Sequence, residues 1–192
     1  NKIGAFELFE LGGVFVDEGE GDFNKHGNDS WGYPQRGFDF IMRDQFGYNG
    51  DIDHQIFPEK TRNDFQRLIL KPAASDNYPF EDGAHIRDAF IHMLSVKANM
   101  RLDERTSRSC VLYLNGEFWG LYNLREKVNE HFIAGHHPVD PDEIDLIEVQ
   151  TANEGSIDDY DELLDYVTQS DMTDSIVFDS LSKWIDIDNH ID

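Results

Sequence analysis

The pair Asn115-Gly116 constrains this chain more than any other feature. It lies between two apolar runs, Ser109–Tyr113 and Glu117–Leu124. Asn and Gly both accept positive φ, so this pair between strands closes a tight hairpin. That hairpin is expected to be a central structural element. Other strand signals surround it. Phe38, Phe40 and Met42 alternate with Asp39, Ile41 and Arg43, the period of a half-buried strand. Phe65–Lys71 is mostly apolar and stops at Pro72, which cannot donate to a sheet ladder. Gly4–Asp17 contains Gly12-Gly13 and reads as two short strands or a strand and a turn. Ile86, Phe90, Met93 and Leu94 recur at helical spacing within Ala84–Val96, and Arg125–Ile133 is expected to begin a second helix. Glu18–Gly32, rich in Gly, Asp and Asn, is expected to be a loop, as are 44–60 and 73–83.

A break follows at His136-His137-Pro138 and Pro141. Beyond it, Ile144–Val149 is a short strand candidate. Tyr160, Leu163, Leu164 and Val167 form the stripe of an amphipathic helix, and Ser175–Trp184 reads as another. The expected domains are therefore 1–134 and a mostly helical 135–192. No repeat of 20–50 residues is evident, which argues against a solenoid or propeller.

The chain has 192 residues, 12% of them aromatic, enough for a real core without metal or disulfide. One cysteine, Cys110, excludes a disulfide framework and a multi-thiolate zinc site. Placed inside an apolar strand, it reads as a buried, inert thiol. No apolar run approaches the roughly 20 residues of a membrane span. The first residue is Asn rather than Met, so a processed or longer chain is expected.

The net charge of −23 argues against nucleic acid and anionic membranes as partners. Its distribution is uneven. Residues 61–137 hold 10 acids and 10 bases, whereas 138–192 hold 17 acids against Lys183 alone. Positive charge able to meet an anionic ligand lies in the first two-thirds, and the acidic tail reads as a solvated helical surface.

Several constellations could carry chemistry. Lys71 ends an apolar strand and precedes the helix bearing Arg87 and Asp88. A lysine there can neutralise phosphate oxygens while a carboxylate orients its ammonium. The alternative is a strand-end lysine in water. His85, Asp88 and His92 share a helix face and could ligate zinc, but nothing nearby completes the site, so no metal is assigned. Gly19, Gly21, Gly27 and Gly32 could bring backbone N–H groups to phosphate, although Asp22 and Asp29 oppose that. Asn28-Asp29-Ser30 is a glycosylation sequon, meaningful only in a secretory context.

The hairpin segment Tyr113-Leu114-Asn115-Gly116-Glu117-Phe118-Trp119-Gly120-Leu121-Tyr122-Asn123-Leu124-Arg125-Glu126 resembles the signature of the spore coat protein H (CotH) kinase family. Arg67–Lys71, Asp76 and Arg87-Asp88 resemble its strand, aspartate and helix. Ser30–Phe38 resembles its upstream strand entry, with Arg36 where the family more often has Lys. Gly155-Ser156 through Tyr160 and Asp186–Asp192 are similar to downstream family segments, so the resemblance spans roughly residues 10–192.

The resemblance implies an α+β fold: a protein-kinase-like small lobe followed by the start of a large lobe. It implies transfer of phosphate from ATP, with Mg, to protein Ser or Thr. Nucleotide would meet Lys71, Arg36, Asp88 and the hinge backbone of Leu124–Lys127 near Glu126. The catalytic and metal-binding aspartates are expected beyond Asp192, which would leave these 192 residues inactive by themselves, and a secreted or cell-surface location is favoured. The alternatives are a non-catalytic surface interaction module built on the Trp31–Tyr33 loop and acidic surface, and a metal-dependent hydrolase using His85, Asp88 and His92.

Overall fold

The computed structural model describes residues 2–27, 29–73, 76 and 83–191. It is a mixed α/β structure that divides into two units, residues 1–97 with 104–127 and residues 98–103 with 128–192.

The first unit is built on a six-stranded antiparallel sheet. Its strands are β1 (Lys2–Glu10), β2 (Val14–His26), β3 (Gly37–Met42), β6 (Arg67–Lys71), β7 (Ser107–Leu114) and β8 (Glu117–Glu126), in the spatial order β1-β2-β3-β6-β8-β7. A two-stranded ribbon, β4 (Ile52–Asp53) and β5 (Asp64–Phe65), lies between β3 and β6 in sequence. One helix, α1 (Arg87–Ala98), follows β6.

The expected hairpin is β7–β8. Leu114 pairs with Glu117 across a two-residue turn in which Asn115 has φ 52° and Gly116 φ 81°. The expected start of a helix at Arg125 is not seen. Arg125 and Glu126 continue β8, where they pair with Ile69 and Leu68, and the helix starts only at Glu130. Ladder hydrogen bonds to β6 thus override a local helical reading of this stretch.

Glu18–Gly32 differs more. Val14–His26 is one long strand, so Gly19 and Gly21 sit in the sheet rather than in a loop. Packing explains the glycine: a Cβ on Gly21 would lie 2.0 Å from the Ile41 carbonyl oxygen. The sequon asparagine, Asn28, and most of the 73–83 loop lie outside the described residues.

Alternation separates the two faces of the sheet. Phe6, Phe40, Met42, Leu68, Leu70, Tyr122 and Leu124 form one buried cluster with Ile52, Ile56, Phe57 and Phe65 from the β4–β5 region. Phe6 stacks on Phe40 with centroids 5.0 Å apart, and Phe57 meets Phe65 edge-on at 5.4 Å. Cys110 belongs to this side of β7. Burial pushes its pKa up to about 11, so it is a protonated, unreactive thiol at neutral pH.

The sheet curls over this core until its first and last strands meet. Arg108 of β7 donates from both terminal nitrogens to the two carboxylate oxygens of Glu10, at the end of β1, at 2.6 Å each. Arg108 also donates to the Ile56 carbonyl, and His54 stands 3.1 Å from Glu10.

The second unit contains α2 (Glu130–His136), a hairpin of β9 (Leu146–Glu148) and β10 (Thr151–Glu154), α3 (Asp158–Gln169), α4 (Ser175–Ser180) and α5 (Ile187–Ile191). Asn129 caps α2 by accepting from the Phe132 amide, and Phe132 and Leu181 are buried. The Tyr166 hydroxyl ties α3 to the Val177 carbonyl in the first turn of α4.

Gly116 has no neighbour within 4 Å of where a Cβ would lie, so a substitution there meets backbone strain alone. Gly116→Val is expected to cost on the order of 1–3 kcal/mol, read as a lower urea midpoint. An unchanged midpoint would contradict the left-handed conformation at Gly116. Glu10 has a pKa below the ordinary carboxylate value, chiefly through its hydrogen bonds from Arg108. Its contribution is therefore present above the ordinary carboxylate pKa and lost as pH falls through the lowered one. Both partners are partly exposed, so Glu10→Gln should cost about 1 kcal/mol at neutral pH. The difference from wild type should vanish in acid; a constant difference across pH would exclude the ion pair as its cause.

Candidate functional site

The second face of the sheet is polar, and the register dictates its membership. Ile69 is the cross-strand partner of Asp39 on one side and Arg125 on the other. Arg67 pairs with Ile41, and Lys71 with Asn123. Asp39, Arg67, Ile69, Lys71, Asn123 and Arg125 therefore share the face opposite the aromatic core.

Two clusters of charge occupy it. Arg67 grips Asp39 with Nε donating to Oδ1 at 2.8 Å and Nη2 to Oδ2 at 2.5 Å, and Asp39 is buried. Nearby, Asp88 from the first turn of α1 uses one oxygen for two cations. Its Oδ2 accepts from Lys71 Nζ at 3.1 Å and from Arg125 Nη1. His92, one turn along α1, stands 4.0 Å from the other oxygen.

Exposure differs sharply within this trio. Side-chain exposure is 3% for Arg125, 23% for Lys71 and 47% for Asp88. Arg125 Nη2 is buried and has no hydrogen-bond partner among the described residues.

Asp76 fixes where α1 begins. Its Oδ1 accepts from the Ala84 amide at 2.7 Å and its Oδ2 from the Arg87 amide at 3.0 Å. The Arg87 guanidinium closes on the same carboxylate at 3.0 Å. Satisfying these N-terminal amides aims the first turn, and so Asp88, at the end of β6.

Protonation follows from the setting. Burial lowers the Lys71 pKa and neighbouring Arg125 lowers it further, against the pull of Asp88. Burial alone would raise Asp88, but Arg125 and Lys71 outweigh it and hold the carboxyl below its ordinary pKa. His26 pairs with Gly37 at the same end of the sheet. Burial pushes its pKa down to about 4, and the charges of Lys71, Lys127 and Arg125 contribute.

Of the residues singled out from sequence, Lys71 and Asp88 are brought together. Arg36 precedes β3 and leaves the sheet at the end where Lys71 does, since Phe38 pairs with Leu70. Its guanidinium lies over the half-buried Trp31 ring, 5.5 Å from the centroid, with Lys25 Nζ 5.3 Å from the same ring. The β2–β3 connection is pinned there by Trp31 Nε1 donating to the His26 carbonyl. Tyr122 OH donates to the Arg36 carbonyl, and Gln35 donates to the Trp119 and Leu121 carbonyls.

Glu126 behaves differently. It pairs with Leu68, so its side chain points away from the Lys71 face; it is buried, with Arg62 Nη1 3.6 Å from its carboxylate. The β7 ladder ends opposite Arg125, so backbone on that side of β8 first lacks a β7 partner at Glu126–Lys127.

His85 lies before α1 with φ 64°, not on the helix, so it shares no helix face with Asp88 and His92. Among the described residues no group of three or more His, Cys, Asp or Glu side chains is placed to hold a metal.

A family model described as CotH kinase protein matches residues 23–192. The chain belongs to the CotH kinase family. Among curated proteins none matches it significantly. The matched region takes in the whole Lys71–Asp88–Arg125 cluster and begins within β2, leaving β1 and most of the first hairpin before it. The sequence alone reads Arg125 as the start of a helix and so gives no sign of its place in this cluster. Alternation within β8 groups it with Asn123, but a one-residue bulge opposite Leu112 and Tyr113 breaks the count back to the turn, so only the pairing with β6 shows which face they share.

The cluster makes a titration prediction. The folded His26 has a pKa near 4 and an unfolded histidine one near 6.5, so the unfolded state binds more protons between these values. Stability should fall as pH drops from about 6.5 towards 4 through this group. By NMR the His26 ring should stay neutral at pH 5, and Lys71→Ala should raise its midpoint. A wild-type midpoint near 6.5 would contradict the burial of this ring beside Lys71.

Proposed function

We propose that the polar face of the first unit is the phosphate-holding half of a kinase-type nucleotide site, and that the protein transfers phosphate from ATP to Ser or Thr of a protein substrate. The observation that carries this reading is Lys71. It ends an internal strand, is partly exposed, and is held by a helix carboxylate that a buried arginine also engages.

The donor set suits a polyphosphate. Asp39 is matched by Arg67 and Asp88 by Arg125, so among these five groups the Lys71 charge is left uncancelled. An ammonium on a flexible stem neutralises phosphate oxygens as a point charge. Asp88 orients Lys71, and α1 positions Asp88. Arg36 is exposed at the same end of the sheet but lies over Trp31, whose ring meets Phe38 of the core face, so it would reach the phosphates only from the rim. The backbone near Glu126 offers hydrogen bonds to a base at the open margin of β8. Bound ATP with magnesium would supply the phosphoryl group and neutralise its outer oxygens. On this reading residues 1–134 form the small lobe and 135–192 open the second lobe. The family match supports kinase-like nucleotide and metal use in general; ATP, magnesium and the acceptor are this proposal's own.

Titration of the isotope-labelled protein with ATP tests it. Amides of Ile69–Lys71 and Glu126–Lys127 should shift, and those of Asp158–Asp165 should not, because that acidic stretch repels the nucleotide. Lys71→Ala should weaken binding at least tenfold, and in the full-length protein it should reduce transfer of labelled phosphate to a protein acceptor by orders of magnitude. Unaltered binding in Lys71→Ala would refute the assignment.

A further inference from the structure

The trio at Asp88 contains an asymmetry. One carboxylate oxygen, Oδ2, serves both cations. Arg125 uses only Nη1 on it, and its Nη2 is buried without a partner among the described residues. A buried N–H left unpaired is costly, because it has lost its water without gaining an acceptor. The two cations also differ in freedom. Arg125 is almost wholly enclosed, whereas Lys71 and Asp88 both reach solvent.

We propose that Arg125 is a positioning residue that keeps Asp88, and with it the start of α1, in place when Lys71 turns to a phosphate ligand. Departure of the lysine frees Oδ2 from its second donor. The carboxylate then turns to meet both guanidinium nitrogens, and Nη2 gains its missing acceptor. A two-nitrogen arginine–carboxylate contact is stronger and more directional than a one-nitrogen contact. Loss of the Lys71 contact is thereby offset, and the helix does not drift as the ligand binds. Lysine at position 125 would keep the charge but could not make the paired contact. This inference rests on the phosphate-site reading above.

Inorganic tripolyphosphate added to the isotope-labelled chain separates the two. Both the Lys71 Nζ resonance and the Arg125 guanidinium resonances should respond, the latter showing slowed rotation with distinct Nη signals. Arg125→Lys should weaken tripolyphosphate binding at least tenfold with little change in melting temperature. Added to Asp88→Asn, it should weaken binding less than twofold further, because it acts through that carboxylate. A Lys71 resonance that ignores the ligand would sink the site reading, and this inference with it. A responsive Lys71 beside an unchanged Arg125 signal, or full additivity of the two substitutions, would overturn the inference alone. Should Arg125→Lys fail to fold, the wild-type Arg125 resonances still decide.

Discussion

Alternation along β6 governs this molecule. Leu68 and Leu70 enter the aromatic core, while Arg67, Ile69 and Lys71 face the other way. A one-residue slip would exchange the two sets, burying a lysine among phenylalanines and exposing leucines. Pairing with β6 carries the same parity into β8, past a one-residue bulge near the Asn115-Gly116 turn, so that Tyr122 and Leu124 complete the core while Asn123 and Arg125 complete the polar face. Core and candidate site are thus two readings of one register, and neither can move without the other.

Magnitudes separate the roles of the two faces. Fully burying a large apolar side chain stabilises by roughly 1.5–3 kcal/mol, and Phe40, Phe57 and Phe65 are enclosed almost completely. The charged face makes no comparable contribution. A buried ion pair is often no better than a well-packed apolar replacement, because desolvation offsets its attraction. Arg125, enclosed against a half-exposed Asp88, is a poor choice for stability and a good one for fixing a carboxylate in space. That contrast is the physical ground for reading the cluster as functional rather than structural.

Much of this was legible in the sequence. The hairpin was visible because Asn-Gly leaves few other options, and β3 because Phe38, Phe40 and Met42 mark every second position. Lys71 and Asp88 were visible as a strand end and a helix start. What stayed hidden depends on tertiary contact. Gly19 and Gly21 look like loop residues until Ile41 and Met42 are seen pressing on them. Arg125 looks helical until β6 pairs with it. Glu126 is marked in sequence for its backbone; where its side chain goes, to the other face beside Arg62, follows only from its pairing with Leu68. The Glu10–Arg108 pair spans 98 residues, and no local signal could announce it.

The acidic second unit shows why net charge is a weak guide to a site. Asp158, Asp159 and Asp161 occupy the first turn of α3, where carboxylates complement the helix dipole. Asp174 accepts from the Ile176 amide and caps α4, and Asp140 accepts from the Asp142 amide at the start of a short turn of helix. Asp171 is tied to Thr173, and Asp145 to the Ser156 amide. Much of the −16 carried by 138–192 thus serves backbone amides and helix ends. Exposed charges are screened beyond about 8 Å at physiological ionic strength, so an arriving anion responds to the groups it touches. At the proposed site those groups are Lys71 and the cations beside it, whose paired carboxylates are already engaged. A chain of charge −23 can therefore still present a local site for phosphate, provided each nearby acid is held by its own arginine, as Asp39 is by Arg67 and Asp88 by Arg125.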